Sequence, residues 1–399
     1  MKVRLSEGFV SFLYVLLIVT TLISFRNRGV DSSGFDLQIL SKIIVWFFCG
    51  VLGLIFWFKV NFSLNSLCQL FIVIFSCYIV ITSPFSPAGL YSVVTSIVFF
   101  CFVMFNILLF KTLEVSDVLK AVVISSVFIS FASLISLFLF PGLVYQEFWN
   151  DLGYIEGVRL KGLTDNANSL GQLCAFSLFL ILVNYRETFK GKVYFKYFIL
   201  ALLFLFLLLS QSRTSFLALC IALSYYYFFR RFKILYTFIY FLFCFATVVF
   251  LTEIHLHILP SFSRSGSIEE LFTFTGRTLV WEAVIDLIRN EPFFGYGYAS
   301  SKVIIPLNFE TSWGWTTVNS HSFLLQLFLS VGIVGALPVI IIIVFQLFRL
   351  FSFKGRLSSS IFIFVLITGI LESGAIGPIP NFMTLVWLLS IFLIHFENN

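Results

Sequence analysis

Hydrophobic residues in this chain are not spaced to make one face of a helix or a strand; they run on without a break. Stretches of about 17 to 25 residues with few charges repeat from end to end, the length an α-helix needs to cross roughly 30 Å of hydrocarbon. Twelve can be read: 8–25, 37–58, 66–82, 90–110, 117–140, 167–184, 194–210, 213–229, 232–252, 321–348, 358–375 and 382–396. The alternating segments of about ten residues that build a membrane barrel are not seen. The pattern predicts an all-α, polytopic membrane protein of about twelve transmembrane helices. The first run is too long, and too poorly followed by small residues, to be a cleaved signal peptide, so it is expected to be retained.

Composition agrees, with 60% hydrophobic and 11% charged residues against about 25% charged in soluble domains. A single soluble core is thereby excluded. Basic residues set the orientation. Fifteen of the 25 Lys and Arg, from Lys2 and Arg4 to Lys354 and Arg356, fall on one side, on compact connections. That side, with both termini, is expected to be cytoplasmic. The bias accounts for the net charge of +6, and no nucleic-acid partner is needed. The seven Cys lie in or at apolar runs without a C-x-x-C pair, so they read as buried apolar residues rather than metal ligands or disulfides.

Two outer connections stand out, dividing the chain into helices 1–9 (residues 1–252, with a smaller outer loop at 141–166), a large outer loop (253–320) and helices 10–12 (321–399). A loop that long is uncommon without a use. Its stretch TGRTLVWEAVIDLIRNEPFFGYG predicts an interfacial helix capped by Thr275 or Thr278 and ended by Pro292 and Gly295. Glu282, Asp286 and Arg289 would share a polar face, with Leu279, Trp281, Val284, Ile285 and Ile288 covering most of the rest. In HSFLLQLFLSVGIVG, Gly332 and Gly335 share a helix face and would permit close packing.

Polar groups gather at the outer side. Arg159, Lys161 and Asn168 lie in RLKGLTDNANSLGQL, Arg213 in SQSRTSF, Arg277 at the start of the loop helix, His321 at the start of the tenth run and Glu372 near the end of the eleventh. Arg264, in the large loop, adds another cation. Arg213 and Arg277 each sit beside the free N–H groups of a helix start, an arrangement that suits phosphate. His321 could take a proton from a hydroxyl near neutral pH. Each has a plainer reading. The arginines could snorkel to headgroups, Glu372 could face water at a helix end, His321 could mark the boundary, and Arg159 and Lys161 could lie in a solvated loop. His255 and His257 do not share a helix face, and no third ligand accompanies them.

Four pieces resemble the bacterial O-antigen ligase and O-antigen polymerase family. RLKGLTDNANSLGQL is similar to its Arg-x-x-Gly segment with a following Asn, although Ala167 stands where proline is usual. SQSRTSF looks like its Ser-Arg helix start. GRTLVWEAVIDLIRNEPFFGYGYAS resembles its Gly-Arg-x-x-x-Trp helix, and HSFLLQLFLSVGIVG fits its His-[Asn/Ser/Gln]-x9-Gly-x-x-Gly pattern. The resemblance implies a multi-pass glycosyltransferase of the bacterial cytoplasmic membrane. It would move a glycan carried on undecaprenyl diphosphate at the outer (periplasmic) face, inverting and without metal or other cofactor. Carried over by motif, Arg213 and Arg277 hold the diphosphate and His321 is the catalytic base. Arg159, Lys161, Asn168, Arg264 and Glu372 are the substrate-binding candidates.

The leading expectation is a polymerase of lipid-linked repeat units for O-antigen, capsule or exopolysaccharide. A ligase transferring polymer to lipid A–core shares the motifs. A flippase of lipid-linked sugars would instead show broken helices and charges near mid-membrane. Expected partners are the lipid-linked donor, a glycan acceptor and membrane lipids, with a chain-length regulator and flippase by family analogy.

Overall fold

The computed structural model describes residues 5–25, 36–59, 64, 66–149, 155–183, 193–228, 277–311, 314–352 and 355–397. Eleven of the twelve apolar runs are helices there: α1 (Glu7–Leu22), α2 (Leu37–Lys59), α3 (Leu67–Thr82), α4 (Leu90–Thr112), α5 (Val115–Leu139), α7 (Ala167–Val183), α8 (Val193–Leu209), α9 (Arg213–Phe228), α12 (Phe323–Phe351), α13 (Arg356–Leu371) and α14 (Phe382–Phe396). Shorter helices are α6 (Pro141–Val144), α10 (Arg277–Asn290) and α11 (Ser301–Asn308). The ninth run, at 232–252, lies outside the described residues, as do His255, His257, Arg264 and Thr275. The α2, α4, α5 and α12 helices, and α3 with the turn after it, are long and apolar enough to cross a membrane. This is an all-α membrane protein.

Helix starts carry local signals. Ser6 and Ser66 accept from the backbone N–H three residues on, and Asn381 with Thr384 forms a reciprocal capping box. Consecutive long helices alternate in direction. The ends of α1, α5 and α13 therefore meet the starts of α2, α4, α7 and α14 at one end, called the site end below. There Gln38 Nε2 donates to the Ile23 carbonyl at 2.9 Å, and the Ser24 N–H to the Leu163 carbonyl at 2.8 Å. At the other end Glu397 accepts the N–H groups of Leu357 and Ser358 at the start of α13, a carboxylate placed against a helix N-terminus. The α14 helix is the axle, buried from Phe382 to Ile394. The α2 helix is peripheral. Its exposed Leu40, Ile44, Phe48, Val51 and Ile55 recur at three and four residues, a stripe suited to lipid.

Three local features depart from expectation. The smaller outer loop holds an antiparallel hairpin, β1 (Tyr145–Trp149) with β2 (Ile155–Leu160). Thr278 is the second residue of α10, inside the helix rather than capping it. The tenth run is one helix only in outline, because Gly332, at φ 61° and ψ −168°, breaks it. A Cβ there would lie 2.3 Å from the Phe293 carbonyl oxygen, so Gly332 seats the backbone of the preceding loop rather than a neighbouring helix. Gly335 does serve packing, against the Tyr78 ring.

The α10 helix packs against α11 and α12. Val280, Val284 and Leu287 pack with Ile305 and Leu329 in a small core of their own. Glu282, Asp286 and Arg289 are exposed opposite, Asp286 and Arg289 pairing at 2.9 Å. Leu279 and Ile285 remain exposed beside them, in keeping with an amphipathic interfacial element.

Of the cysteines described, Cys49, Cys68, Cys101 and Cys174 are buried while Cys77 and Cys220 are exposed, and all six are free thiols. The expectation of burial thus fails at two, which lie on helices of lipid-suited composition, where an apolar thiol is not exposed to a solvation penalty.

Candidate active site

Glu372 is where the pieces meet. It follows the last residue of α13, partly buried, and Arg277 reaches it from the first position of α10. Arg277 Nη2 donates to Glu372 Oε1 at 2.7 Å, and its Nη1 donates to the Leu371 carbonyl. The guanidinium therefore also meets the negative end of the α13 dipole. Asn168, in the first turn of α7, donates Nδ2 to the same Oε1 at 2.6 Å. Burial alone would raise the Glu372 carboxyl, but the Arg277 charge, followed by His321, holds it down at about 2.

Asn168 is held in turn. Its Oδ1 accepts from Arg159 Nη2 at 2.6 Å, while Arg159 Nε donates to the Ser210 carbonyl at 3.0 Å. The turn between α8 and α9 can come this close because Gly171 of α7 has no side chain; a Cβ there would lie 2.4 Å from Ser212 Cβ. The solvated-loop reading of Arg159 and Lys161 is corrected here. They are 8% and 2% exposed, Arg159 being taken up by the Ser210 carbonyl and Asn168 and the Lys161 N–H by the Val144 carbonyl. Burial pushes the Lys161 ammonium's pKa down, with Asp165 opposing.

His321 stands on the opposite side of Glu372. Its Nδ1 is 3.8 Å from Glu372 Oε2, and its Nε2 is 3.2 Å from Thr317 Oγ1. Nδ1 is buried with no hydrogen-bond partner among the described residues. The backbone of His321 is left-handed at φ 50°, a conformation that is uncommon without glycine and that clusters at functional sites. A polar brace holds it: Ser320 N–H donates to Gln326 Oε1 at 3.1 Å, Ser320 Oγ to the Ser322 carbonyl at 2.8 Å, and Gln326 Nε2 to Ser301 Oγ at 2.9 Å. Gln326 and Thr317 had no signal in the sequence beyond being polar near an apolar run.

Arg213 opens α9, exposed, after Gln211 at φ 50°. The contact from its turn to the cluster runs through the Ser210 carbonyl, not through its own guanidinium. Arg159, Asn168, Glu372, Arg277 and His321 thus form one chain of contacts, with Arg213 exposed beside it.

Glu372, Asn168 and Asn319 also line a chamber of about 680 Å³ that extends between α1, α2, α4 and α14, a volume in the range of small-ligand sites. Among the described residues no three His, Cys, Asp or Glu side chains converge as a metal-holding group. What the arrangement offers is an imidazole beside a carboxylate, a guanidinium at a helix start, and a chamber whose wall includes that carboxylate.

No curated protein matches the chain. Residues 198–340 match the family model described as O-antigen ligase, a segment that holds Arg213, Arg277 and His321. The matched segment also holds three of the four sequence stretches that carry the resemblance, from SQSRTSF to HSFLLQLFLSVGIVG.

Proposed function

We propose that the protein is a membrane glycosyltransferase that joins undecaprenyl-diphosphate-linked repeat units at the outer face of the bacterial cytoplasmic membrane, both termini lying on the cytoplasmic side. The observation that carries this reading is the Arg277–Glu372–His321 cluster at the edge of a chamber. His321 takes the proton from an acceptor sugar hydroxyl as its oxygen attacks the anomeric carbon of the donor. The bond from that carbon to the diphosphate breaks, inverting the centre, and the electron pair leaves with the diphosphate. Arg213 and Arg277, each at a helix start, stabilise the charge gathering there, work that a metal does in other enzymes.

Glu372 serves the histidine. A closure of under about 1 Å would bring Nδ1–H into hydrogen-bond range, fixing the tautomer that leaves Nε2 as the base. Thr317 Oγ then marks where the acceptor hydroxyl sits. Arg159 is a positioning residue, acting through Asn168. Lys161 and Arg264 stay as substrate-binding candidates on their charge alone.

The family description favours a second reading, a ligase that passes finished polymer to lipid A–core. Gene deletion followed by glycan gels separates them. Core bearing a single repeat marks a lost polymerase, long chains stranded on the lipid carrier mark a lost ligase, and an unchanged glycan profile sinks both. In purified protein, loss of transfer on adding EDTA would contradict the metal-free mechanism.

A further inference from the structure

Gln172 of α7 is out of keeping with its surroundings. It is only 8% exposed, yet its amide has no hydrogen-bond partner among the described residues. Other buried amides of the bundle are taken up, Gln326 by Ser320 and Ser301, and Gln346 by Ser390 and Trp387. Gln172 instead lines the chamber. An unpaired buried amide costs the fold stability, and buried polar groups are rarely left so.

Two more unpaired groups lie on the same wall. Ser373 is 7% exposed and its Oγ has no partner among the described residues; Asn319 Oδ1 is likewise buried without one. The three come from separate elements and surround the catalytic pair. Ser373 follows Glu372 directly, and Asn319 stands two residues before His321. Gln172 lies one helical turn, about 6 Å, beyond Asn168, which bonds Glu372.

The charges on the wall, by contrast, have company. Arg277 holds Glu372, and Lys302 Nζ sits 4.4 Å from the centre of the Tyr91 ring. Lys42 is engaged as well, and Asp165 lies within electrostatic range of Lys161 and Tyr91. What calls for a ligand is therefore neutral: two amides and a hydroxyl, which between them donate and accept. An alkyl chain would leave all three unpaired, and an anion would meet cations already engaged. A sugar ring carries hydroxyls around its rim, each a donor and an acceptor, and can answer several such groups at once. At about 680 Å³ the chamber takes a drug-sized ligand, about two or three rings.

We propose that the chamber seats the uncharged rings of the acceptor glycan. Gln172, Asn319 and Ser373 read the hydroxyls of the ring that presents its own hydroxyl to His321. The inference rests on the glycosyl-transfer reading and deepens it, assigning the residues that choose the acceptor sugar.

The test uses full-length protein in lipid nanodiscs. The probe is the single-repeat oligosaccharide of the host's own polysaccharide, reduced at its end and free of phosphate and lipid, titrated by saturation-transfer NMR. Native protein should bind it, and Gln172→Leu and Ser373→Ala should each weaken binding by about three- to tenfold. Gln172→Leu should keep or raise the melting temperature of the ligand-free protein, because it removes an unpaired buried amide. In transfer assays it should raise the acceptor KM and leave kcat near native. If leucine does not fit, Gln172→Met, unbranched and adaptable, takes its place. A melting temperature lowered in both would mark a structural glutamine and overturn the proposal. So would absence of repeat binding, undiminished binding in the variants, maltotriose bound as tightly, or displacement of the repeat by inorganic pyrophosphate or undecaprenol. Transfer by native protein is scored separately. Transfer without repeat binding removes the chamber site alone, and repeat binding without transfer removes the enzyme reading alone.

Discussion

Arg277 Nη2 and Glu372 Oε1, 95 residues apart in sequence, meet at 2.7 Å and tie the start of α10 to the end of α13. Their side chains are only 16% and 18% exposed, so losing one partner strands a charge in a poorly solvated place. Arg277→Ala and Glu372→Ala should each lower thermal stability in detergent. The double variant should lose less than the sum, with a coupling on the order of 0.5–3 kcal/mol. Strict additivity would show that the pair is not formed.

The same pair fixes a pH dependence. A carboxyl held at about 2 against about 4.3 in an unfolded chain adds stability that is fully present above the unfolded value. That stability is lost as pH falls through about 2. The stability gap between native protein and Glu372→Gln should therefore be flat from pH 5 to 8 and shrink only below about pH 4.3. A gap that closes between pH 6 and 8 would mean the carboxylate is not held this way.

Removal of the imidazole should stop the chemistry without unfolding the site. His321→Ala should lose about 10²–10⁴-fold in transfer rate while expressing at native levels, read from glycan gels and gel filtration. Near-normal polymer in this variant would remove His321 as the base. Thr317→Val should lower turnover far less, because it takes away a placeholder rather than a proton acceptor.

Two arginines separate positioning from catalysis. Arg159 spans the Ser210 carbonyl and Asn168 Oδ1 with two nitrogens of one planar group, which a lysine point charge cannot do. Arg159→Lys should destabilise the fold along with activity. Arg213 is exposed at its helix start, so Arg213→Lys should keep native stability and lose transfer. Equal stability losses in the two variants would put Arg213 in the structural frame instead.

These partnerships show where sequence reading stops. His321, Arg277, Asn168 and Glu372 are visible singly because each is a polar group at the edge of an apolar run. Their pairing is not visible: Asn168 and Glu372 are 204 residues apart, and no local pattern encodes that contact. Most helices were legible for the opposite reason, since a run of lipid-soluble side chains is a local property. The hairpin was not, because β1 has five residues (YQEFW), too few to show an alternation. Arg159 and Lys161 read as solvated because charge in a loop usually is. Contacts across the fold bury them, Arg159 reaching Ser210 and Asn168.

Gly332 is the sharpest case of a residue whose identity was legible and whose role was not. In an apolar run a glycine with a second one three residues on reads as a packing pair. Here φ is 61° and a Cβ would strike the Phe293 carbonyl oxygen and the Phe294 nitrogen, both backbone atoms. Two costs therefore combine: a left-handed backbone, of order 1–3 kcal/mol, and a clash that no rotamer relieves. Gly89 supplies the control, with φ 52° but nothing within 4 Å of its Cβ position, so Gly89→Ala carries only the first cost. Gly332→Ala should lower the apparent melting temperature well beyond Gly89→Ala. It should also impair transfer, because the broken helix carries His321's brace at Gln326 on one side of the break and, on the other, the Ile333 and Val334 N–H groups that donate to the Pro292 and Phe293 carbonyls. Equal effects of the two substitutions in a fluorescence melt would show that the close approach of Phe293 to Gly332 is not part of the folded protein.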